Sequence, residues 1–290
     1  MRRLIIIILI ALSAVFSACN EKSIDELYTN PDAIVDVLEG TLASVEADDP
    51  NFIITDEFRT LDNPLSGTFG TTSFMVQLDS SLVSYDVTVG DTVNVDNLWA
   101  KEANAQVQYE NYYTLTLKNA SQQTATKTLI TNPTKAYKKA YLLQLGSFSS
   151  AGRGWVYWGT TALLNLAYPS PTVTWRSEID GTLNNSANII YRNDFPSLQP
   201  GDKITVRYVA HSDDIAYLNI NENGNPERIS FSFVESNVME ASWRVSSNPS
   251  GKDYYFYAGV EIYRQKTLAT TVETDDDFFY IGLMYSIATE

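Results

Sequence analysis

From Phe52 to the end, the chain runs as short stretches of alternating apolar and polar residues, each closed by Gly, Pro, Asn, Asp or Ser. This pattern constrains the fold most. Period two places alternate side chains on opposite faces of a strand, so each stretch offers one face to a core and one to solvent. In the first half, Thr72–Leu78, Val83–Val89, Thr92–Asn97, Ala105–Lys118 and Ala140–Leu145 read as strands, with "VGDT" as a tight turn between two of them. The second half is denser: Val173–Ile179, Asn188–Arg192, Lys203–Ala210, Ala216–Ile220, Arg228–Val234, Ala241–Val245, Tyr254–Arg264 and Phe278–Ile287. Within "RISFSF", Ile229, Phe231 and Phe233 fall on one face and Ser230 and Ser232 on the other. "IDGT" and "ENGN" mark hairpin turns, and "LQPGDKITVRY" feeds a Pro-Gly turn into an alternating strand.

Strands at this spacing predict a mainly β protein, an antiparallel β-sandwich of immunoglobulin-like type. Plentiful Tyr and Thr agree. The glycine- and serine-rich "GSFSSAGRG" (146–154) predicts a division into two sandwich domains, residues 28–150 and 151–290. A long loop within one sandwich is the alternative. One short helix is signposted before the strands. Asn30 can cap it, Pro31 suits the first helical position, and Ile34, Val35, Val37, Leu38, Leu42 and Val45 recur at helical spacing, an apolar stripe suited to a sheet.

The first residues carry an address. Arg2 and Arg3 precede an apolar run, Leu4 to Ala18, shorter than the ~20 residues of a spanning helix. That is the layout of a secretory signal, residues 1–18. It ends on Cys19, the only cysteine, which has no partner for a disulfide within the chain. Phe16-Ser17-Ala18-Cys19 resembles the lipobox of bacterial lipoproteins, with Phe16 where that family carries Leu, Val or Ile. The resemblance implies cleavage before Cys19 and acylation of its thiol and new amino terminus. Residues 19–27 then form a polar, acidic tether similar to the export signal of surface-exposed lipoproteins of Bacteroidota. This implies an outer-membrane protein at the cell surface, with the periplasmic face as the alternative.

Charge narrows the partners. Without Arg2 and Arg3 the chain keeps 18 basic against 35 acidic residues, a net charge of −17. Such a body repels nucleic acid and anionic lipid, so the membrane is a partner only through acyl chains on Cys19.

Chemistry-bearing motifs are sparse. His211 is the only histidine, and no Gly-x-Ser-x-Gly elbow accompanies it, so a Ser/His/Asp triad and a Cys/His zinc site find no support. Asn219-x-Asn221-x-Asn223-Gly224 opens like an EF-hand loop, but its twelfth position is Ser230 where a bidentate Glu is required. Asp275, Asp276 and Asp277 are weak calcium candidates. No cofactor is expected. Aromatics are the most suggestive feature: "GRGWVYWG" places Trp155 and Tyr157 on one side and Trp158 on the other, and in "DYYFYAG" Tyr255 and Tyr257 share a face. Rings left exposed suit sugar faces or protein interfaces. The expected function is therefore non-enzymatic, a cell-surface accessory protein that binds a glycan or docks on an outer-membrane assembly. The alternatives are a structural or adhesive subunit and, third, a glycan hydrolase. A glycan binder should show a ring platform, and a subunit an unpaired sheet edge or a broad apolar patch.

Overall fold

The computed structural model describes residues 30–43, 65–69, 72–119, 121, 123–129, 135–146, 151–165, 171–191, 194–222, 225–247, 254–264, 268 and 278–288. Within them the alternation becomes antiparallel sheet almost throughout, joined by one helix, α1 (Asn30–Ala43). It begins at the signposted Asn30, and Ala33, Ile34 and Leu38 are its buried positions, while Val45 of the expected stripe lies outside the described residues. The expected cap differs in detail, because Asn30 Oδ1 is buried and finds no hydrogen-bond partner.

The first sheet holds β1 (Leu65–Phe69), β2 (Thr72–Val95), β3 (Leu98–Lys118), β4 (Thr124–Leu129), β5 (Lys135–Gln144), β6 (Trp155–Thr160), β7 (Leu164–Asn165) and β10 (Ile190–Tyr191). Its spine is a hairpin of 24 and 21 residues. At ~3.3 Å per residue this spans about 75 Å. Three expected strands of the first half thus merge into β2. The "VGDT" turn is instead a bulge inside it: Val89 pairs with Ala103 and Thr92 with Lys101, so Gly90 and Asp91 both oppose Glu102. A β-carbon on Gly90 would stand 2.9 Å from Glu102 Cγ, which suits glycine to the bulge. The chain reverses at Asp96 and Asn97, both left-handed (φ 51° and 66°), as a two-residue type I′ hairpin requires.

A second sheet holds β8 (Val173–Ser177), β9 (Leu183–Asn185), β12 (Lys203–Val209), β15 (Ser232–Glu235) and β16 (Val238–Arg244), in the order β15-β16-β12-β8-β9. The third holds β11 (Ser197–Leu198), β13 (Asp214–Glu222), β14 (Asn225–Ser230), β17 (Tyr254–Arg264) and β18 (Phe278–Ile287), in the order β11-β18-β17-β13-β14, with only β11 parallel to its neighbour. Both marked hairpins form: Glu222 pairs with Asn225 across "ENGN", and Arg176 with Leu183 across "IDGT". In "LQPGDK", buried Asp202 accepts the Ser177 hydroxyl at 2.5 Å and the backbone N–H groups of Glu178 and Ile179, tying that turn to the end of β8. "RISFSF" departs from its pattern. The chain leaves the third sheet at Ser230, buries Phe231 in the shared core and enters the second sheet at Ser232, so Phe233 becomes exposed.

The third sheet is the middle layer. Val260, Ile262, Ile281, Leu283 and Tyr285 pack with Trp175, Ile204, Val206, Ala241 and Trp243 of the second sheet. On its other face Tyr217, Tyr263, Tyr280 and Met284 pack with Phe74, Val76, Tyr113, Leu115 and Leu117 of the first. Strands buried on both faces explain why β18 reads as a nearly continuous apolar run. Beyond the third sheet, the same face of β3 continues through Val107, Ala105 and Ala103, where α1 covers it. The division expected at residue 150 falls within the first sheet: β5 pairs antiparallel with β6 across the 3-10 turn at Ala151–Gly154, and β10 adds to β6.

Candidate functional site

The residues singled out from sequence have three fates. Cys19 and Asp275 to Asp277 lie outside the described residues. Tyr255 and Tyr257 fall in β17 opposite Ser286 and Met284, while their side chains lie outside the described set. The β6 rings are placed, and alternation divides them as expected. Trp155 is 4% exposed and packs against Ala33, Ile34 and Leu38 of α1, with Tyr157 half-buried beside it. Burial pushes the Tyr157 hydroxyl up to about 12. Trp158 is 9% exposed on the opposite face, against Ala100 and Leu143. Both tryptophans are core residues and present no surface platform. Among the described residues the rings that do reach solvent are dispersed: Trp99, 75% exposed, beside the β2–β3 turn, Tyr112, Tyr191 and Phe233.

His211 is exposed, and its backbone N–H donates to Asp214 Oδ2 at 2.9 Å. Asp214 also holds Arg264 Nη1 at 2.5 Å, so the "VAHSDD" loop is pinned structurally. Among the described residues no three His, Cys, Asp or Glu side chains gather as metal ligands.

Two features escape a reading of single strands. The first is a buried polar centre between the first and third sheets. Glu261, fully buried, receives hydrogen bonds from Asn219 Nδ2, the Tyr263 hydroxyl and Arg228 Nη2, the last at 2.8 Å. The Arg228 guanidinium lies 3.8 Å over the Tyr217 ring, whose hydroxyl donates to Thr68 O at 2.9 Å and so reaches β1. Desolvation raises the Glu261 carboxyl above its ordinary range, against the opposing pull of Arg228. A β-carbon on Gly259 would collide with the Tyr280 hydroxyl, so glycine is required where that ring crosses the sheet. The sequence signal is a Glu inside the apolar run "AGVEIY", one position from residues facing the other core. This centre fastens two layers and is enclosed by them.

The second feature is the outer edge of β2. β1 covers only Thr72 to Val76, and from Leu78 to Val95 no strand among the described residues pairs with that side of β2. The first bulge leaves Asp79 without a partner residue in β3, its carboxylate accepting the Thr114 hydroxyl at 2.5 Å. Between the two bulges Ser80 to Val89 runs in unbroken register with Tyr112 to Ala103. Leu82 is 61% exposed and Val83 42%, and as neighbours in a strand they point to opposite faces. An open edge presents alternating N–H and C=O groups that another extended chain can pair with. Proteins usually blunt such edges with lysine or proline. Thr72–Val95 contains neither.

Compared with protein-family models, curated proteins and solved structures, the chain matches none of them.

Proposed function

We propose that this chain is an exported, lipid-anchored protein of the outer membrane. Its body docks, without catalysis, onto a protein assembly through the open edge of β2. The single observation that carries the docking is the edge from Leu78 to Val95, unpaired among the described residues, while Trp155 and Trp158 are spent in the core. The address rests on Cys19 and the segment before it. No helix of the described residues is long and apolar enough to cross a membrane. In the second and third sheets, the orders β15-β16-β12-β8 and β14-β13-β17-β18, with β11 parallel to β18, support an immunoglobulin-like sandwich. The first sheet covers that sandwich on one face and extends past it, where α1 packs on the extension.

Site-specific photo-cross-linking in the native cells tests the docking. A photoreactive residue replacing exposed Ser84 on β2 should capture a protein, whereas one replacing Ser242, on the outer face of the second sheet, should not. Capture at Ser242 with none at Ser84 would overturn the assignment of the edge. For the anchor, a Cys19→Ser chain should lose palmitate labelling; retained labelling would contradict it.

A further inference from the structure

We infer that the β2 edge takes up an extended basic strand from a partner protein and rejects a second copy of this chain. The inference rests on the docking reading above and adds the partner's chemistry. A row of backbone N–H and C=O groups at strand spacing is matched only by another extended polypeptide, so the occupant is a protein segment and not a sugar or a lipid. The bulges at Asp79 and Gly90-Asp91 bound the regular footprint to the ten residues from Ser80 to Val89, about 33 Å of strand.

Charge selects the sign of that segment. Between Thr72 and Val95 stand three aspartates, Asp79, Asp86 and Asp91, and no lysine or arginine. Helix α1, packed beside Tyr85, Val87 and Val89 of β2, adds Asp32, Asp36 and Glu39 and likewise no basic residue. Strand β2 and helix α1 thus carry six acids and no base of their own. Like charges directly opposite each other across a strand pair are destabilising and opposite charges favourable. Pairing two β2 edges sets the acidic strand of one copy, with no base of its own, against the same acidic strand of the other. Such pairing also brings together two chains that each carry a net charge of −15 or more. A partner strand with lysine or arginine near Asp79 and Asp86 meets no such opposition, and apolar residues at its centre cover Leu82 on one face and Val83 on the other.

The test uses the full-length protein purified in detergent and three fluorescent, end-blocked decapeptides: alternating lysine and valine, alternating glutamate and valine, and the lysine peptide N-methylated at every second residue. Fluorescence anisotropy should show the lysine peptide binding at least tenfold more tightly than the glutamate peptide, and the N-methylated peptide not at all. Binding should weaken severalfold from 50 to 500 mM salt. Replacing Asp79, Asp86 and Asp91 together by asparagine should also weaken it at least fivefold, with circular dichroism unchanged. Equal binding of the N-methylated peptide would mean adsorption by charge alone and would overturn strand pairing. Equal binding of the two unmethylated peptides would overturn the charge selection and leave the docking reading standing. Failure of all three peptides, with a cross-link still formed at Ser84 in cells, would overturn this inference alone. A dimer in sedimentation that the Asp→Asn triple variant strengthens would show the edge to be self-pairing and would overturn it as well.

Discussion

Trp155 illustrates at the residue scale why a ring in a strand is ambiguous before its neighbours are known. Alternation correctly sets Trp155 and Tyr157 apart from Trp158, but it cannot say which face is covered. α1, more than a hundred residues earlier in the chain, covers one face, and the indole ends in a core with Nε1 unpartnered. Trp155→Ala should therefore cost about 3–5 kcal/mol in denaturant unfolding. Trp155→Phe forfeits no hydrogen bond and should cost less than half as much; equal costs would place the ring elsewhere. Glu261 was equally illegible, because its partners Arg228, Asn219 and Tyr263 come from three strands. Removing Arg228 leaves a buried carboxylate without its cation, so Arg228→Met should cost about 3 kcal/mol or more. The pH dependence follows from the raised carboxyl. Between the ordinary pKa and the raised one, the folded chain holds a proton that the unfolded chain has released, so this term's stability is complete at acid pH and lost as pH rises. Stability of the wild type relative to Glu261→Gln, which cannot titrate, should fall as pH rises from 4 to 7. A rise across that range would contradict the desolvated site.

At the scale of elements, turns and strand ends were legible wherever local chemistry decides them. β17 and β18 have the expected bounds, and "ENGN" and "IDGT" close their hairpins. Merging was not legible. Gly90-Asp91 looks like a turn pair, and only Glu102 across the ladder makes it a bulge, while Asp96-Asn97 adopts the left-handed conformations of the true turn. "RISFSF" misleads because a strand that changes sheets keeps its period while its core changes sides. The β2 edge allows a sharp test of pairing. Of the neighbouring N–H groups of Leu82 and Val83, one points toward β3 and the other away from it. Proline at the first should cost about 3 kcal/mol and at the second much less. Large and equal losses from Leu82→Pro and Val83→Pro would mean that both sides of β2 are paired.

For the whole molecule, the antiparallel β class was legible, and the arrangement of layers was not. Composition around 146–154 resembles a linker, yet β5 and β6 pair across it, because a glycine-rich turn serves a hairpin as readily as a boundary. The third sheet is a middle layer because its side chains are apolar in both registers, with Tyr217, Tyr263 and Tyr280 reaching the first sheet and their neighbours the second. That stacking holds one end of a hairpin about 75 Å long and leaves the outer strand of the hairpin facing outward. Residue-resolved hydrogen exchange on the full-length protein examines that edge directly. From Leu78 to Val95, amides pointing toward β3 should be protected while alternate amides exchange nearly as fast as in an unstructured peptide, and residues 259–263 of β17, paired on both sides, should be protected throughout. Uniform protection of both sets in β2 would show the edge already covered within the chain and would contradict docking through it.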